Sequence, residues 1–293
     1  RRLGAGLVLV EAALRDPSPL LDRALRRLGG WCWSRYVRRT ARALVALDPV
    51  AEREAREAGF AAERVTIIPH GVNLNDFRPG LSSTIVGRHR IRGRILLHVG
   101  PLENGRGLET LLSAFARTVG QREDWSLVLA GDGAARPRLR ALAERLGVAV
   151  RVHWPARPRD EELPGLFGAS TLFAAPAIDD AVRGRQVSRA LACGVPVLAG
   201  DVPRLRALVE HQHSGLLVPP DDLGGWSEAI RLAAGSPIAR ARWAKNARRV
   251  AEERLGWPAV ARRFEELFRA VRAAGTGTAG GGAPAPDAAS CAG

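Results

Sequence analysis

The chain has 293 residues, 46% of them hydrophobic, enough for one large domain or two ordinary ones, with a core that needs no disulfide framework. Its formal charge is +14, carried by arginine apart from the single Lys245, so the surface attracts phosphates, anionic headgroups or nucleic acid. No stretch interleaves aromatics with arginines, which argues against specific nucleic-acid binding, and no apolar run approaches the ~18 residues of a membrane-spanning helix.

In chain order, Leu3–Val10 is short and followed by Glu11 and Arg15, so it is expected to be a buried strand rather than a leader peptide. A helix is expected near 20–40, a strand at 43–46, a helix at 50–58 and a strand at 65–68. Cys32, Cys193 and Cys291 form no CxxC pair and have no neighbouring histidines. Zinc and disulfides are therefore disfavoured, and a reducing cytoplasm is expected. From Arg94 the rhythm is regular. Strands are expected at 95–99, 126–130, 150–153, 171–174, 197–199 and 215–218. Helices are expected at 107–119, 136–146, 161–167, 186–192, 205–210, 223–234, 238–254 and 258–272. Apolar runs alternating with amphipathic stretches predict an α/β fold with a doubly wound parallel sheet.

These elements suggest a partial first domain over 1–79, a linker at 80–92, a complete domain over 93–256, a helix at 257–272 and a disordered tail at 273–293. Three strands and two helices cannot cover both faces of a parallel sheet. With no methionine even at position 1, an upstream portion on the order of 100 residues is expected to be missing.

Five motifs carry candidate chemistry. In Ile67-Ile-Pro-His70-Gly71-Val72-Asn73, Pro69 ends a strand and Gly71 permits a tight turn; His70 is a turn residue or a weak catalytic candidate. Leu97-His-Val-Gly100-Pro101-Leu102-Glu103-Asn104-Gly105-Arg106-Gly107 joins a strand to a helix, with Arg106 as a phosphate ligand. Gly131-Asp132-Gly133 follows a strand, at the end where open parallel sheets bind ligands. Ala181-Val-Arg183-Gly184-Arg185-Gln-Val-Ser-Arg189-Ala-Leu-Ala-Cys193-Gly194-Val-Pro-Val opens a helix whose free N–H groups favour an anion, with Arg183 and Arg185 adding charge. Gly215-Leu-Leu-Val-Pro219 is a strand and turn.

The order and spacing of these motifs resemble the retaining group 1 (family 4) glycosyltransferases of GT-B fold. The resemblance implies two Rossmann-like domains, with the nucleotide-sugar donor held by the second and the last helix returning to the first. It implies transfer of a sugar from a nucleotide diphosphate sugar to a sugar or lipid-linked acceptor with retention, and no cofactor or metal, because cationic side chains and a helix terminus stabilise the leaving diphosphate. By the same resemblance, Gly100, Arg106, Gly107, Gly131, Gly133, Arg183, Gly184 and Arg185 bind the donor diphosphate. Four family positions are changed: Pro101 stands for the diphosphate arginine, Ala181 and Arg189 for two donor-site glutamates, and Ala207 for another acid. Asp179 and Asp180 are the nearest carboxylates that a short shift could bring in to serve the sugar. Two other readings stay open: a non-catalytic binding or scaffold protein that has kept the frame, and a basic protein peripheral on the inner face of the cytoplasmic membrane or on nucleic acid.

Overall fold

The computed structural model describes residues 7–11, 41–180 and 184–276. The helix expected near 20–40, Cys32, Cys291, and most of the expected tail lie outside the described residues, as do Ala181 and Arg183. The described residues form two compact units, one with 7–11, 41–47, 51–68 and 261–276, the other with 48–50, 69–180 and 184–260.

The first unit contains a parallel sheet in the order β1-β2-β3, with β1 at Leu7–Glu11, β2 at Ala41–Ala46 and β3 at Val65–Ile67. Helix α1, Pro49–Glu57, connects β2 to β3. It starts where the Asp48 carboxylate accepts the Val50 N–H at 3.0 Å, an arrangement that satisfies one orphan donor of the first turn. Ala51 and Ala55, four apart and so on one face, pack with Leu44, Ala46 and Val65. Glu52 and Arg56 pair across the exposed face at 2.6 Å.

The second unit is a six-stranded, all-parallel sheet in the order β6-β5-β4-β7-β8-β9. The strands are β4 Arg94–Val99, β5 Trp125–Ala130, β6 Val152–His153, β7 Leu172–Ala175, β8 Val197–Gly200 and β9 Gly215–Val218. On β4, Ile95, Leu97 and Val99 enter one core while Leu96 enters the other. Both faces are therefore covered, which is why such strands read as nearly unbroken apolar runs. One face carries α2 Thr84–Arg88, α5 Leu163–Gly168 and α6 Arg185–Ala192, and α9 Pro237–Val250 reaches both cores, Ala247 and Val250 entering this one and Trp243 the other. The other carries α3 Leu108–Thr118, α4 Arg136–Arg145 and α8 Leu223–Gly235.

Several expectations need correction. Residues 80–92 do not read as a bare connection. They contain α2, capped by the Ser83 hydroxyl accepting the Val86 N–H at 3.3 Å, and Ile85 and Ile91 are buried beside Phe77 and Leu166. Four apolar residues, Leu81, Ile85, Val86 and Ile91, among many polar ones were too sparse a pattern to mark it. The helix expected at 205–210 is only Pro203–Arg206, α7, begun by proline at its first position. The strand expected from 150 is reduced to Val152–His153. The helix expected to run to 254 ends at Val250 and is followed by a π-helical turn, Ala251–Leu255. The last helix, α10, covers Trp257–Thr276, so it runs into the segment expected to be disordered. Of its expected apolar stripe Val260 is buried, but Phe268 is 51% exposed.

Candidate functional site

Strand order reverses between β4 and β7: the chain builds outward through β5 and β6 on one side, then through β8 and β9 on the other. Loops leaving two such neighbours diverge to opposite sides, opening a crevice beyond their carboxyl ends. A cavity of about 470 Å³ lies there, lined by His98 to Pro101 from β4, Phe173 and Ala175 to Ala177 from β7, Arg106, and Arg185 to Val187 at the start of α6. No carboxylate is among these lining residues.

Close backbone contact builds the walls. Gly107 caps α3 with φ of 69° in the left-handed region, and a Cβ there would stand 2.2 Å from the Pro176 carbonyl oxygen. Only glycine suits that position. The β5 loop clasps the β4 loop, with the Gly100 N–H donating to Ala130 O at 3.1 Å and the Leu102 N–H to Asp132 O at 2.9 Å. A Cβ at Gly131 would meet Gly100 O at 1.9 Å, and one at Gly133 would meet Leu102 O at 2.2 Å. Neither glycine lines the cavity. The close approach that these glycines permit is to the loop carrying Gly100 and Pro101. The Asp132 carboxylate bonds Arg136 and accepts the Arg157 N–H at 3.1 Å, so it braces the turn.

Arg106 and Arg185 both line the cavity; Arg106 also reaches Glu103 Oε2 at 3.3 Å. Gly184 stands just before α6, and the place of its missing Cβ is 2.2 Å from Leu208 Cδ1. Asp179 and Asp180 line neither this cavity nor the next. Asp180 accepts the Arg204 N–H at 3.1 Å, its carbonyl accepts from the Arg204 guanidinium, and that 8%-exposed side chain stands 2.8 Å from Asp48 Oδ2. Asp180 is thus committed to the start of α7.

A second cavity, of about 290 Å³, shares Arg185 with the first. It is lined by His70, Asn73, Asp76, Phe77, Ser188, Arg189 and Trp257 among others. His70 donates through Nδ1 to Gly71 O at 2.8 Å, and its ring lies 5.9 Å from that of Trp257. Gly71 leaves room for the Trp257 ring, since a Cβ there would stand 2.5 Å from it and push the ring aside. Arg189 lies 5.1 Å above the Phe77 ring and 3.6 Å from Asp160.

Sequence reasoning missed His98. Its Nδ1 faces the Ala174 carbonyl at 3.0 Å, so Nδ1 carries the proton, while Nε2 is buried without a partner. Burial pushes its pKa down to about 4, against the smaller upward pull of the Ala174 carbonyl. The imidazole is therefore neutral at physiological pH, with Nε2 left as an acceptor. A histidine next to the glycine loop on a switch-point strand was the available signal.

Fold and cavity together define a doubly wound α/β protein of the GT-B type, with its crevice at the sheet's carboxyl edge. The sequence pattern described as "Glycosyl transferases group 1" matches residues 86–250, more than half of the chain, and the chain belongs to that family. It is similar to the D-inositol 3-phosphate glycosyltransferase of Thermobispora bispora, 34% identical over 241 residues covering 77% of this chain and 55% of that protein. It is also similar to the alpha-D-kanosaminyltransferase of Streptomyces kanamyceticus, 26% identical over 282 residues covering 92% and 72%. The chain spans about half the length of most of the curated relatives it matches. In fold it resembles the Anabaena protein HepE, solved with UDP, at a TM-score of 0.75 and 22% identity over 90% of this chain and 72% of that one.

Proposed function

We propose that the second unit binds the diphosphate of a nucleotide sugar, and that the protein transfers the sugar to an acceptor with retained configuration. The observation that carries this reading is the convergence of Arg106, Arg185 and the start of α6 on one cavity at the switch point. As a glycosidic bond breaks, the leaving diphosphate gains negative charge, and preorganised guanidinium groups lower that barrier without a metal. A guanidinium also grips phosphate oxygens in pairs. The structure of HepE with UDP-glucose and the relatives named as glycosyltransferases support the reading.

His98 offers the neutral acceptor that a ligand hydroxyl needs in a cavity without carboxylates. The acceptor is proposed to be a sugar or a lipid-linked sugar; among the described residues no helix is long and apolar enough to cross a membrane, and the basic surface suits an anionic lipid face. One observation favours a non-catalytic protein instead: Asp179 and Asp180 lie away from both cavities. Incubating the full chain with UDP-, GDP- and ADP-sugars and following release of the nucleoside diphosphate tests the proposal. Binding and release support transfer; binding without turnover, with acceptor sugars supplied, supports the scaffold; no binding at millimolar ligand contradicts both donor-site readings.

A further inference from the structure

Three features of α6 work against its own stability. Arg185 and Arg189 are four residues apart on one helix face and repel each other. Arg185 stands at the first position of the helix, where the backbone dipole is positive and disfavours a cation, whereas Arg189 lies in the last turn. Arg189 is also largely removed from water: burial pushes its pKa down, Asp160 pulls it back, and the charge of Arg185 lowers it further. Its compensation is thin. Asp160 is 3.6 Å away with its side chain 86% exposed, and the Gln186 side chain accepts from Arg189 at 3.3 Å. The Phe77 ring face supplies the remaining attraction. Both guanidinium-bearing residues line the 290 Å³ cavity, where the Ser188 hydroxyl donates to Gly184 O at 3.3 Å. The cavity's one carboxylate, Asp76, accepts the Asn73 amide at 2.8 Å. An anion seated there would relieve the mutual repulsion, the dipole and the desolvation together. Local rules broken this way are the mark of a site awaiting its ligand.

We infer that the cavity between Arg185, Arg189, His70 and Trp257 is a second anion subsite, which takes a phosphate or carboxylate carried by the sugar acceptor or by the transferred sugar. This deepens the nucleotide-sugar reading on which it rests, because it gives Arg189 a ligand class where the family pattern has a carboxylate. The larger cavity holds the diphosphate with Arg106 and Arg185; the smaller one selects what is transferred or what receives it. Arg185, common to both, couples them, so that an anion in one lowers the net positive charge felt by the other.

Calorimetric titration of the full chain tests this with paired probes that differ by one anionic group. Glucose 6-phosphate against glucose examines a free acceptor-like sugar, and UDP-glucuronate against UDP-glucose examines the donor. The expected result is that one anionic partner of a pair binds about tenfold or more tightly than its neutral counterpart. A preference within the first pair puts the anion on the acceptor; within the second, on the donor sugar. Arg189→Gln should abolish that preference while changing the affinity for UDP less than about twofold, and Arg189→Lys should restore part of it. Equal affinities within both pairs, or a preference that survives Arg189→Gln with the thermal midpoint unchanged, would overturn the inference. The sugar-phosphate arm contains no nucleotide, and UDP alone is titrated separately. Failure of the nucleotide reading therefore shows as absent UDP binding, whereas failure of the subsite shows as absent anion preference.

Discussion

The two cavities that Arg185 lines are built by different means. The larger lies among loops held by close backbone contact: Gly107 meets the loop leaving β7, while Gly131 and Gly133 bring the loop leaving β5 against the one leaving β4. The smaller is walled by side chains from distant parts of the sequence, among them His70, Phe77, Arg189 and Trp257. A backbone-built pocket tolerates changes in its polar residues while keeping its shape. A side-chain-built pocket changes its chemistry with each substitution. The frame of a family can thus persist while the charges within it are rewired.

That contrast can be broken most forcibly at Gly107. Gly107→Val would push a branched side chain into the Pro176 carbonyl at a left-handed position. A loss of about 2–4 kcal/mol in urea unfolding is expected, with nucleotide affinity falling in parallel; an unchanged midpoint would mean that the loop is not held as described. Arg106→Ala leaves the wall intact and removes only charge. It should weaken a nucleoside diphosphate by about 1–3 kcal/mol, the range of a charge-assisted contact, with little change in stability.

His98 sharpens the comparison through pH. Its folded pKa of about 4 lies below the usual 6.5, so between those values the unfolded chain binds a proton that the folded chain refuses. Stability therefore falls as the pH drops from about 7 toward 4, by up to about 3 kcal/mol from this residue. His98→Phe should flatten that slope in urea titrations at pH 7 and 4.5. A slope equal to wild type would place the effect on another group, such as His153, which burial also lowers. The smallest effect concerns Cys193, whose buried thiol is pushed up to about 12. It should resist alkylation by iodoacetamide at pH 8 in the folded chain and react only on unfolding.

The sheet of the second unit was legible because buried parallel strands are apolar on both faces and their helices are amphipathic. The motifs ending β4 and β5 and opening α6 landed at the carboxyl edge as their glycines implied. What the glycines approach was not legible: Gly131 and Gly133 answer to the neighbouring loop, a contact between residues about 30 apart in sequence. Asp180 looked like a stand-in for a lost acid, but a single buried arginine at position 204 claims it, and nothing in local sequence announces that pairing. His98 was hidden for the opposite reason. It sits inside an apolar run where a histidine passes for a strand residue, and the structure sets it apart by its buried, unpartnered Nε2.

The most direct test of the account is calorimetric titration of UDP, GDP and ADP into wild type and the Arg106→Ala and Arg185→Ala variants. The account predicts that at least one nucleoside diphosphate binds, that each single loss of a guanidinium weakens it about tenfold or more, and that added salt erodes the difference. Binding that ignores both arginines, or no binding at all, would contradict the claim that these cations hold a diphosphate at the switch point.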